Sequence, residues 1–268
     1  MKYKLICSDL DDTLINSKGE LCSGTKQAIK DYETKGGIFC IVTGRMTSGA
    51  VPLYRELGLK NELATFQGAV ISSPITGEVF YKNAIPCEKA VEIGRFIEDN
   101  GFYYQTYDGD KFYTATPNDF TRLYGRLSHA DFVATGKKLS EFILGEKINP
   151  PKILLMEEPE KIPEIMKKLK VKFGKEFLIN TSKPFIIEII PHGINKGLAV
   201  DFIAKRHGIK KDEVICIGDS ENDLTMIEYA AVGACVASGS PVAKEKADVI
   251  APSCDDDPIK WLIDSYCK

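Results

Sequence analysis

Between Lys4 and Leu14 the chain reads K-L-I-C-S-D-L-D-D-T-L. The short apolar run Leu5-Ile6-Cys7 has the character of a strand buried on both faces, as at the centre of a parallel sheet. It breaks into three carboxylates, Asp9, Asp11 and Asp12. Pleating puts alternate side chains on one side, so Asp9 and Asp11 are expected to project together from the carboxyl end of the strand. In open α/β sheets that end is where ligands bind. Two carboxylates held together repel unless a proton or a cation lies between them. Hard oxygen donors of this kind suit Mg²⁺, which takes a few carboxylates with waters and phosphate oxygens. The plainer reading is an acidic surface turn whose carboxylates bond local amides.

The rest of the chain repeats the pattern. Lys26–Lys35 carries Ala28, Ile29 and Tyr32 at helical spacing and stops at Gly36-Gly37. Ile38–Val42 is a second buried strand, ending in Thr43-Gly44-Arg45, and a helix follows over Thr47–Leu57 that Pro52 should distort or shorten. A strand at Leu63–Phe66 and a hairpin of Ala69–Ser72 with Val79–Lys82 come next. Beyond Pro191, Asn195 caps a helix from Lys196 to His207. Glu213–Ile217 then breaks into Gly218-Asp219-Ser220-Glu221-Asn222-Asp223. A helix to Tyr229, a strand at Val232–Ala237, a helix capped by Ser240-Pro241, a strand at Val249-Ile250 and a helix at Asp257–Tyr266 complete the series. Strand–helix alternation implies a parallel sheet with right-handed crossovers.

Residues 84–190 differ in texture. They hold 14 of the 24 Phe and Tyr residues, enough for a separate core. Helices are expected at Glu88–Asn100, Asn118–Gly125 and Lys161–Phe173. Strands are expected at Phe102–Tyr107, Lys111–Thr114, Lys152–Met156, Glu176–Ile179 and Phe185–Ile190, with Asn149-Pro150-Pro151 as a loop. The architecture expected is a Rossmann-like, doubly wound α/β core built from 1–83 and 191–268, interrupted by an α+β insert over 84–190.

Bulk chemistry removes several function classes. Thirty-five basic against 38 acidic residues give a net charge of −3 with no long run of either sign, which is no footprint for nucleic acid. No apolar run approaches the roughly 20 residues that span a bilayer. The N-terminus enters a strand almost at once, so a cytoplasmic location is expected. Eight cysteines form no C-x-x-C pair, and His129, His192 and His207 supply no zinc spacing.

Three strand ends converge on one sheet edge, carrying Asp9 and Asp11, Thr43-Gly44-Arg45, and Asp219 with Asp223. A carboxylate group around a cation, a hydroxyl with glycine amides, and Lys196 opening a helix are what a phosphoryl group needs. Singly, each piece has an ordinary use. Thr43-Gly44 suits a strand-to-helix turn, Ser220-x-x-Asp223 matches a capping box, and a lone lysine is usually solvated.

D-L-D-D-T-L (9–14), I-V-T-G-R (41–45), N-K-G (195–197) and G-D-S-E-N-D (218–223) resemble, in order and strand context, motifs one to four of the haloacid dehalogenase superfamily. The insert between the second and third motifs resembles that of the Cof-type phosphatases with a type IIB cap. The resemblance implies that Asp9 is the nucleophile, forming an aspartyl-phosphate, and that Asp11 is the general acid and base. It implies that Mg²⁺ rests on Asp9, the backbone carbonyl of Asp11, and Asp219, with Asp223 supporting the site. Thr43, Gly44 and Lys196 would hold the phosphoryl group, with Arg45 and Asn222 at the phosphate or the leaving group. The implied substrate is a small phosphorylated metabolite, a sugar phosphate or a phosphorylated cofactor, chosen by the cap. Asp12 and Gln67 depart from the family pattern, where many relatives have Gly and Asn, and Ala237-Ser238-Gly239 stands where Met and Asn are frequent.

Other classes compete. A receiver-like phosphoacceptor expects its Asp after the third strand, its lysine near the end of the chain and about half this length. A metal-dependent glycosyltransferase leaves 195–223 unexplained, and dinucleotide binding lacks G-x-G-x-x-G after the first strand. A catalytically silent, phosphate-binding regulatory protein on the same fold is the alternative function.

Overall fold

The computed structural model describes residues 1–128 and 130–267; His129 and Lys268 lie outside the described residues. The chain opens with β1 (Leu5–Ser8), α1 (Thr25–Thr34), β2 (Ile38–Val42), α2 (Thr47–Leu57), β3 (Leu63–Thr65), β4 (Val70–Ser72) and β5 (Val79–Lys82). It continues through α3 (Cys87–Asp99), β6 (Tyr103–Asp108), β7 (Lys111–Thr114), α4 (Asp119–Ser128), β8 (Phe132–Ala134), α5 (Leu139–Glu146), β9 (Ile153–Met156), α6 (Ile162–Phe173), β10 (Phe177–Lys183) and β11 (Ile186–Pro191). It closes with α7 (Lys196–Arg206), β12 (Val214–Gly218), α8 (Leu224–Tyr229), β13 (Val232–Val236), α9 (Pro241–Lys246), β14 (Val249–Ala251) and α10 (Pro258–Tyr266). Two compact units result, one of Met1–Arg45, Ala50–Tyr81 and Asn195–Lys268, the other of Met46–Gly49 and Lys82–Ile194.

The first unit is built on a sheet of order β14-β13-β12-β1-β2-β3-β4-β5, parallel from β14 to β3 and antiparallel at β3–β4. Its central strands are apolar on both sides because both sides are covered. Ile6, Phe39, Ile41, Ile215 and Ile217 pack with Ile29 and Tyr32 of α1, Tyr54 of α2 and Leu262 of α10. Their strand neighbours Leu5, Cys7, Cys40, Val42 and Cys216 pack on the other face with Val200 and Ile203 of α7 and Met226 of α8. That two-sided burial is what the unalternating runs in the sequence reflect. Helix α2 runs unbroken through Pro52, its Ala50 and Tyr54 fully buried, so packing outweighs the lost backbone bond. Asn195 and Ser240 cap α7 and α9 as expected, each accepting from the N–H three residues on.

The second unit has a sheet of order β10-β11-β9-β6-β7-β8. One face packs α3, α5 and α6 through residues such as Ile93, Ile143 and Leu169. On the other, α4 sets Tyr124 edge-on against Tyr107 and Phe112. Tyr107 and Phe112 are fully buried, so these aromatics form core. Tyr103 accepts a hydrogen bond from Thr121 at 2.9 Å and stacks near Phe120. Under α4 a buried ion pair, Lys152 to Glu188 at 2.7 Å, sits beside the Tyr107 ring.

Helix α5 and strand β8 were not anticipated from the sequence. Leu139-Ser-Glu-Phe-Ile-Leu-Gly-Glu spreads its apolar residues around the axis, burying Leu139 and Ile143 and leaving Leu144 half exposed, so no stripe marks it. Three-residue β8 is too short to show a period.

Candidate active site

β12, β1 and β2 are neighbours, and their ends are level, Ser8 facing Ile41 on one side and Ile217 on the other. The chain winds outward from β1 in both directions, so this is the sheet's switch point, the place where open α/β sheets form a ligand crevice. Asp9 follows β1, Thr43 follows β2 and Asp219 follows β12.

Lys196, at the start of α7, is completely buried. Its ammonium donates to Asp9 Oδ1 at 2.5 Å and to Asp223 Oδ1 at 2.6 Å. Oxygens of Asp9, Asp219 and Asp223 lie within 4.8 Å of one another. The second oxygen of Asp223 accepts from the Asp219 N–H at 2.9 Å and the Ser220 N–H at 3.0 Å. Ser220-x-x-Asp223 forms the capping box, and the same Asp223 carboxylate that closes the turn also fixes Lys196. Gly218 makes room for it, since a Cβ there would lie 2.4 Å from Asp223 Cγ.

Asp11 is not beside Asp9 in this cluster. The strand pleat ends at Ser8, and Leu10–Leu14 forms a wide turn in which Asp11 stays extended (ψ 136°) and Asp12 is left-handed (φ 53°). The alternation that would align the two carboxylates no longer applies. Instead Arg45 grips the half-exposed Asp11, Nε to Oδ2 at 2.9 Å and Nη2 to Oδ1 at 2.5 Å.

Three carboxylates share the site with one ammonium that bonds two of them, and the electrostatics show the imbalance. Burial pushes the Asp9 carboxyl well above the ordinary range against the pull of Lys196, and Asp223 and Asp219 add to the rise. Burial and then Asp223 raise Asp219 to about 7. Burial alone would lower the Lys196 ammonium, but Asp223 and Asp9 outweigh it and raise it. An all-oxygen donor set with surplus negative charge, taken out of water, fits a hard divalent cation.

Thr43 is buried, and its Oγ1 accepts from the Arg45 N–H at 3.1 Å. Gly44 lies against the Gln67 side chain, whose Nε2 would be 2.5 Å from a Cβ there. Gln67 also donates its N–H to the Thr43 carbonyl at 3.0 Å and accepts from Asn222 Nδ2 at 3.2 Å. It thus ties the second and fourth motifs together, a role the sequence reading did not give it. Phe66 (φ 52°) and Gln67 (φ 61°) are both left-handed, a costly conformation for side-chain-bearing residues that clusters at functional sites. The F-Q-G-A run directly after a strand is the only sequence signal for it.

The chain is thus a doubly wound α/β protein with an acidic centre at the switch point of its sheet and a second unit inserted in the chain. The chain belongs to the haloacid dehalogenase-like hydrolases, whose family model matches residues 6–263. A Streptococcus pyogenes serotype M6 protein carrying a phosphatase name is 26% identical, with 98% of this chain and all of that one covered. The Bacillus subtilis phosphatase YwpJ is 25% identical over 97% of this chain and 98% of its own. Among solved structures, a haloacid dehalogenase-like hydrolase of Bacteroides thetaiotaomicron superposes with a TM-score of 0.91 at 28% identity, covering 98% of this chain and 99% of that one. A sugar phosphatase of subclass IIB shares the fold at a TM-score of 0.80 and 22% identity, covering 98% and 99%. No helix among the described residues is long and apolar enough to cross a membrane.

Proposed function

We propose that this hydrolase is a Mg²⁺-dependent phosphatase of small phosphomonoesters, working through an aspartyl-phosphate on Asp9. The observation that carries the reading is the buried Lys196 ammonium held between Asp9 and Asp223 with Asp219 alongside. In the first half-reaction an Asp9 oxygen bonds to phosphorus as the phosphorus–oxygen bond to the leaving alcohol breaks, and Asp11 supplies that alcohol's proton. In the second, Asp11 takes a proton from the attacking water. Inorganic phosphate departs, and Asp9 returns as a carboxylate.

The remaining residues support that sequence. Lys196 spends two N–H groups on Asp9 and Asp223, leaving the third for a phosphoryl oxygen. Thr43 accepts from the Arg45 amide, leaving its own O–H to donate. Arg45 orients Asp11 through both of its oxygens, so Asp11 acts as an acid only after giving one of them up. Gly44 and Asn222, joined through Gln67, would border the phosphate or the leaving group. Asp9, Asp219 and the Asp11 carbonyl would hold Mg²⁺, with Asp223 in support; when bound, the ion supplies positive charge to the phosphoryl oxygens. The second unit is proposed as the cap that selects a sugar phosphate or a phosphorylated cofactor and excludes water. A cytoplasmic location accords with the reading.

The test is phosphate release from a panel of small phosphomonoesters, with Mg²⁺ and with chelator, beside Asp9→Asn. Metal-dependent release that vanishes in the variant is expected. Release at the parent rate from Asp9→Asn would overturn the nucleophile assignment. Phosphate binding without turnover would favour the silent, regulatory alternative.

A further inference from the structure

β5 forms one side of the first sheet, with β4 as its neighbour in the strand order. Phe80 packs on the core, whereas Val79 and Tyr81 are 53% and 37% exposed. Soluble proteins blunt such edges with charge, proline or a bulge, because an open strand invites another strand to pair with it. Here no charge interrupts the apolar run. Glu78 stands immediately before the strand and Lys82 is its last residue. The Ser73 N–H donates to the Glu78 carbonyl at 2.8 Å, which fixes the alternation. Glu78 and Phe80 turn their peptide groups toward β4, and Val79 and Tyr81 turn theirs outward.

We propose that β5 pairs antiparallel with β5 of a second copy of this chain, about a two-fold axis at Phe80. In that register Val79 of each copy faces Tyr81 of the other, and each such pair exchanges its outward N–H···O bonds. Glu78 of each copy meets Lys82 of the other. Sliding the strands by one pair in either direction sets Glu78 or Lys82 against Phe80 and loses both ion pairs. The strand is complementary to itself in one register, which makes the contact isologous and closed. Beside the strand, Phe202 of α7 adds a ring 5.5 Å from that of Tyr81. An edge of four residues buries an area at the low end for specific contacts, so a reversible dimer with a Kd on the order of 10–100 µM is expected.

Sedimentation of the full chain from a few to several hundred micromolar tests this. The weight-average mass should rise toward twice that of the chain. Glu78→Lys and Lys82→Glu should each weaken association about tenfold or more, since each sets like charges opposite one another twice. The double variant E78K/K82E should restore it to within about threefold of the parent, by the same pairing rule. Phosphoester turnover should be unchanged in all three, because β5 carries no site residue. A monomer across the range, single variants that dimerise like the parent, or a double variant that stays monomeric would each overturn the proposal.

Discussion

At the scale of single residues, the centre of this protein is a charge problem solved by position. Asp9→Asn keeps shape and an acceptor for Lys196 while removing the proposed nucleophile. Turnover should fall by about 10³-fold or more, with Tm within about 4 °C of the parent by thermal melting. The raised carboxyls make a second prediction, in pH. A metal ion needs Asp219 deprotonated, and Asp219 sits at about 7. Mg²⁺ affinity should therefore fall by at least about tenfold per unit as pH drops below 7, with the raised Asp9 carboxyl adding to the fall, as calorimetry can measure. In chelator the sign for stability runs the other way. Between the ordinary carboxylate range and about 7 the folded state holds a proton that the unfolded state has lost, so Tm should fall as pH rises through that window. Glu62 behaves oppositely. Although burial alone would raise it, the bond to His207 and the Arg206 guanidinium hold it below the ordinary range, so its contribution is lost only in acid.

At the scale of elements, the position of Lys196 is set by how closely α7 approaches α8. Gly197, next to Lys196, would place a Cβ 2.4 Å from the Thr225 backbone carbonyl. Backbone cannot swing aside as a side chain does, so Gly197→Ala should cost about 1–3 kcal/mol in urea unfolding. Turnover should fall with it, because the start of α7 moves and carries Lys196. Most elements were legible beforehand: apolar strands of four or five residues, Asn195 and Ser240 as caps, and the order of the acidic turns. The places where reading failed share a cause. α5 has no stripe, β8 no length, and the turn after β1 abandons the pleat that would have aligned Asp11 with Asp9. In each, local period carries no information, and neighbours in space decide.

At the scale of the whole molecule, each unit has its own core, and the single tryptophan, Trp261, packs in the first. Lys152→Met strands Glu188 in the second core and should cost about 3–5 kcal/mol, while adding Glu188→Leu should recover most of it. Circular dichroism should register that loss as an earlier transition, with Trp261 fluorescence shifting less. By itself the sequence determined the period of each element, the chemical types at three strand ends and their order along the chain, because these are local properties written in consecutive residues. It also set residues 84–190 apart by their aromatic content. Only the tertiary structure decided that Lys196 is buried between Asp9, 187 positions away, and Asp223, that Arg45 takes Asp11, and that Gln67 reaches Asn222. Burial and pairing across such separations are consequences of packing, and no run of neighbouring residues encodes them.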